Sequence, residues 1–145
     1  MSATVSRENL AEQFRQKADE SLLAARTCLT NGMYRAACNR SWYTIYQSIC
    51  AGTYARLTQD PPSDTGSWKH NALHSLFHNF LRHAHLRIRH GYLLSCMQDV
   101  LDARILADYK PDQLLLTAEQ AEDAVATAEQ IHDLIWKICE WTTIT

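Results

Sequence analysis

Apolar positions recur along most of the chain at three- and four-residue spacing. Leu10, Phe14, Ala18, Leu22, Ala25 and Leu29 fall on one face of a first helix, with Ser6 placed to act as its N-cap. Asn31-Gly32 predicts its stop, because glycine accepts the left-handed conformation found just past a helix end. Met33 follows at once, so the second helix, running to about Leu57, must return antiparallel through a very short turn. The segment TQDPPSDTGS then breaks the pattern with prolines, glycine and turn formers. Trp68, Leu73, Leu76, Phe77, Phe80 and Leu81 mark a third helix. A basic connector, RHAHLRIRHG, leads to a fourth helix from about Tyr92 to Tyr109, which Lys110-Pro111 should end. Thr117 and Gln120 have capping-box spacing and open a last helix that reaches about Trp141. Ala121, Val125, Ala128, Ile131, Ile135 and Ile138 share one of its faces. No internal repeat interrupts this order. The expected fold is all-α, an antiparallel four- to five-helix bundle forming a single domain over residues 1–145.

Two faces do not fit simple amphipathicity. On the fourth helix, which ends in VLDARILADY, a helical projection places Leu93, Leu94, Met97, Val100 and Leu101 in one stripe roughly 120° wide. Arg104 and Asp108 fall inside that stripe, whereas Ser95, Gln98, Asp99 and Asp102 occupy the opposite arc. An Arg–Asp pair at this spacing contributes only a few tenths of a kcal/mol when exposed, which does not explain charges on a core-facing stripe. On the second helix Ala36, Ala37, Arg40, Thr44, Gln47 and Ala51 form a narrow face of mostly small side chains. Trp42, Ile45, Tyr46 and Ile49 point the other way and read as core or interface. These patterns predict that Asp108 pairs with Arg40 between helices two and four.

Composition narrows the class. With 46% hydrophobic and 21% charged residues, the chain has an ordinary globular make-up. A net charge of -2 gives no overall basic field toward nucleic acid. The polar N-terminus carries no signal-peptide pattern, and no apolar run approaches a membrane span. Cys28, Cys38, Cys50, Cys96 and Cys139 are scattered, with no C-x-x-C pair. They read as reduced thiols of a cytoplasmic protein.

Charge is concentrated in one place. Arg82, His83, His85, Arg87, Arg89 and His90 crowd the connector, which has no acidic residue. Such a loop can contact phosphates without reading sequence, and Arg82, Arg87, Arg89 and His90 are its RNA-binding candidates. The alternative is a solvated linker. His70, His74 and His78 recur every four residues on helix three. Paired histidines at that spacing can bind zinc, but no carboxylate or cysteine stands near them in sequence, so a polar face is expected and no metal site is assigned. A catalytic histidine supplied from this helix is the other reading. No phosphate-binding glycine loop is present, and no cofactor is expected.

Several of these segments together resemble one family. GMYRAACNRSWYTIYQSICA resembles the second-helix signature of HEPN-domain proteins, with Gly32, Tyr34, Ala37, Arg40, Tyr43 and Tyr46 matching and Trp42 replacing an aromatic. KHNALHSLF is similar to that family's third helix, and ARILADY to its fourth-helix R-x-x-A-D-Y ending. FRQKADESLLAARTCL fits the first helix. The resemblance implies a helical bundle, usually a homodimer, from prokaryotic toxin–antitoxin and defence modules. Members are often encoded beside a minimal nucleotidyltransferase. Many are metal-independent ribonucleases that carry a histidine four to six residues after the fourth-helix arginine.

No histidine stands there after Arg104, and Gln47, where relatives often carry one, does not titrate. If the chain cleaves RNA, the resemblance implies attack of a ribose 2′-hydroxyl on the adjacent phosphate. Arg104 would stabilise the developing charge, and Arg40, Asp108 and Tyr109 would orient it, with Asn39 and Gln47 lining the pocket. Two functions follow: a dimer that binds or cleaves RNA, or a non-catalytic module that binds a nucleotidyltransferase or another protein.

Overall fold

The computed structural model describes residues 6–62, 67–109 and 116–142, and the side chains of all of these except 106–109. The described residues fold into α1 (Arg7–Thr30), α2 (Tyr34–Arg56), α3 (Leu73–His83), the one-turn α4 (Arg87–His90), α5 (Tyr92–Tyr109) and α6 (Ala118–Cys139). A 3₁₀ turn, His70–Ala72, precedes α3.

Local chemistry sets several helix ends. The Ser6 hydroxyl accepts from the Asn9 amide and caps α1. At the other end Met33 donates to the Cys28 carbonyl and Gly32 to that of Leu29, while Gly32 adopts φ +72°. This is the glycine turn that the sequence predicts, and it reverses the chain into α2. At α6 the Thr117–Gln120 capping box forms as expected. Arg7 reaches across from α1 and donates to the carbonyls of Thr53 at 3.2 Å, Leu57 at 2.7 Å and Gln59 at 3.0 Å. A cation thus binds carbonyls at and just past the C-terminal end of α2.

Cross-helix contacts fix the antiparallel order. Arg7 meets the end of α2, and Ser21 bonds Gln47 near its middle. Between α1 and α6, Asp19 accepts from His132 at 2.8 Å, and Arg26 pairs with Glu129. The α2 helix is the centre of the bundle, touching α1, α3, α5 and α6. Burial on nearly every side explains its weak amphipathicity. Two of its buried hydroxyls are satisfied within the helix: Ser41 donates to the Ala37 carbonyl, and Thr44 to that of Arg40. Trp42, Ile45, Ile49, Leu73, Phe77, Phe80, Ile131, Ile135 and Trp136 form the bulk of the core.

The structure departs from expectation in two segments. Trp68 lies ahead of the third helix, which starts only at Leu73 after the 3₁₀ turn. Its indole is buried against Tyr54, with ring centres 4.8 Å apart. The basic connector is a built turn rather than a flexible loop. His85 takes φ +59°, and Leu86 donates back to the Leu81 carbonyl at 2.8 Å, closing α3 before α4 begins. On α5 the projection holds: Leu93, Leu94, Met97 and Val100 are buried, and Ser95, Gln98, Asp99 and Asp102 are exposed. No helix among the described residues is long and apolar enough to cross a membrane.

Candidate functional site

A cluster of cations and aromatic rings gathers where α2, α5 and the 3₁₀ turn meet. The α2 helix presents Arg40 and Tyr43 one turn apart, with Tyr43 half-buried. The Arg40 guanidinium lies over the Tyr43 ring at 5.5 Å from its centre. Arg104 of α5, also half-buried, lies over the same ring at 5.5 Å. An aromatic face attracts such cations electrostatically, most strongly where water is partly excluded. Arg104 therefore faces inward against an aromatic surface of α2.

His70 completes the cluster from the 3₁₀ turn. Its ring stacks on Tyr46 with centres 4.6 Å apart and meets Tyr43 edge-on at 5.8 Å. The Trp42 indole N–H donates to His70 Nδ1 at 2.6 Å. The Tyr46 hydroxyl donates to the Trp68 carbonyl, tying down the chain just ahead of His70. Trp42 and Tyr46 thus present polar tips one helical turn apart, and both tips hold the segment that carries His70. Burial lowers the His70 pKa below its ordinary 6.5, and the nearby Arg104 charge lowers it further. Burial pushes the Tyr46 phenol up, so it remains a neutral donor.

A family model for the HEPN domain matches residues 11–139. The chain belongs to the HEPN family. No curated protein and no solved structure matches it. The HEPN match contains the whole cluster, from Arg40 on α2 to Arg104 on α5.

Within this HEPN domain the sequence-predicted residues separate. Arg40 and Arg104 come together at Tyr43. Gln47 does not join them: it is held against α1, where Ser21 lies 2.6 Å from its amide. With the amide oriented so that its nitrogen donates, Gln47 also bonds the carbonyls of Lys17 and Tyr43. Asn39 is half-buried beside Arg40 on α2. The side chains of Asp108 and Tyr109, and with them the expected Arg40–Asp108 pair, lie outside the described residues. Arg82, Arg87 and Arg89 are exposed and His90 is half-exposed, all on α3 or α4.

The three histidines of the third-helix segment also part company. His70 turns into the cluster, His74 is exposed and His78 is half-exposed. Among the described residues no three His, Cys, Asp or Glu side chains group at metal-binding distance. Cys38, Cys50 and Cys139 are free thiols that burial pushes up to about 11, 12 and 11, which leaves them poor nucleophiles. Sequence reasoning named three histidines of this segment and did not single out His70 as the one that packs against the aromatic rings. The available signal was the pair of polar aromatic tips at Trp42 and Tyr46, each of which needs a buried partner.

Proposed function

We propose that this HEPN domain binds single-stranded RNA through its phosphates at the Arg40–Tyr43–Arg104 cluster. The setting is a prokaryotic toxin–antitoxin or defence module, and the working form is a homodimer. One observation carries the reading: two guanidinium groups converge on a single half-buried ring. Guanidinium groups held over an aromatic ring are preorganised, and their planar forks match phosphate oxygens. The exposed Arg82, Arg87 and Arg89 add contacts that depend on charge rather than on base identity. The family supports RNA as the nucleic acid.

The test is equilibrium binding of a short fluorescent single-stranded RNA. Arg104→Ala should weaken binding by about tenfold or more, the loss typical of a charge-assisted hydrogen bond. Arg87→Ala and Arg89→Ala should each reduce the salt slope by about one. Unchanged affinity in Arg104→Ala would remove RNA from this site.

A second reading has its own observation. A groove of about 500 Å³ between α5 and α6 is lined by Asp99, Asp102 and Asp123 together with Cys96, Gln120 and Thr127. Its acidic lining repels RNA and suits a basic protein segment, as on a nucleotidyltransferase partner. Absence of RNA binding by the wild-type chain would favour this module over the RNA-binding one.

A further inference from the structure

The Trp42–His70 hydrogen bond restricts what His70 can do. An indole nitrogen can only donate, so His70 Nδ1 must offer a lone pair at 2.6 Å. The neutral ring then carries its proton on Nε2. Protonating Nδ1 would set two N–H groups against each other and break the bond. The ring is also fixed in orientation, stacked on Tyr46 and edge-on to Tyr43. The charged groups around it are Arg104 from α5 and, through the shared Tyr43 ring, Arg40 from α2. The Arg104 charge opposes a positive charge on the imidazole. What is left is a rigid, neutral N–H donor beside an arginine.

We propose that His70 is a phosphate-binding residue, donating from Nε2 to the same phosphate that Arg104 holds. This rests on the phosphate reading of the cluster and adds a residue from a different part of the chain. It also assigns a form of chemistry. Nε2 already bears a proton and Nδ1 is engaged, so His70 holds an anion and does not take a proton from a ribose hydroxyl. Trp42 acts as the positioning residue that selects the tautomer.

The test uses two probes, uridine 3′-monophosphate and a short single-stranded RNA, with imidazole ¹⁵N NMR of the full chain. Free protein at neutral pH should show His70 as the Nε2–H tautomer, and Trp42→Phe should release that preference while keeping the ring stacked. Both probes should shift the His70 Nε2 resonance. His70→Ala should lose about tenfold in affinity for either probe, as for one hydrogen bond to a charged group. His70→Gln, whose amide can donate from a similar position, should recover most of it. Binding of the monophosphate at His70 without RNA binding would support the proposal and remove the RNA reading. RNA binding with an undisturbed His70 and unchanged affinity in His70→Ala would overturn the proposal and leave the RNA reading intact. No response to either probe, or a His70 that is cationic or Nδ1-protonated at neutral pH, would overturn it as well.

Discussion

Tyr43 and His70 are the residues around which the site is organised, and neither is charged. Tyr43 supplies one ring to two arginines. His70 stays neutral because burial and Arg104 both disfavour its cation. That neutrality links the site to stability. The unfolded chain binds a proton at this residue near pH 6.5, and the folded chain does so only at lower pH. The contribution is therefore complete above pH 6.5 and is lost as pH falls below it. Calorimetry should show the wild-type midpoint falling more steeply than that of His70→Gln as pH falls below 6.5. Parallel curves would mean that His70 titrates alike in both states.

At the scale of elements, α2 carries most of the design. It packs against four other helices, and close approach depends on small side chains. Gly52 shows this most clearly: an added Cβ would meet Phe80 Cε2 at 2.9 Å and Ile135 Cγ2 at 3.0 Å. Both neighbours are fully buried and have little room to yield. Alanine in a helix interior gains about 1 kcal/mol over glycine. Overpacking a filled core costs about 1–3 kcal/mol. Gly52→Ala should therefore be destabilised by about 1 kcal/mol in denaturant melts, with overpacking outweighing propensity. A gain in stability would show that Phe80 can move aside.

The same scale shows what was legible in the sequence. Ser6, Gly32 and the Thr117–Gln120 pair act through neighbours a few residues away, so their roles could be read locally. The solvent arc of α5 followed from periodicity alone. His70 could not be placed that way. Its partner Trp42 is 28 residues distant, and the intervening 3₁₀ turn breaks the helical phase that joined it to His74 and His78. The contact of Gln47 with α1 was unread for a related reason. A projection gives direction around one helix, but it does not say that α1 packs on that part of α2. The Asp19–His132 tie between α1 and α6 went unread because neither residue stands out in its own helix.

At the scale of the molecule, the described residues carry patches of opposite charge. Arginines gather at the α2–α5 cluster and on the α3–α4 turn, and the α5–α6 groove is acidic. A net charge of -2 gives no overall basic field and hides these local patches. An RNA strand held by the arginine cluster should be kept off the acidic groove. Ultraviolet cross-linking of a 4-thiouridine-substituted single-stranded RNA to the wild-type protein tests this most directly, with the cross-linked peptides read by mass spectrometry. Cross-links at Tyr43 or His70, lost in Arg104→Ala, are the predicted result. Cross-links confined to the α5–α6 groove, or unaffected by Arg104→Ala, would contradict the assignment.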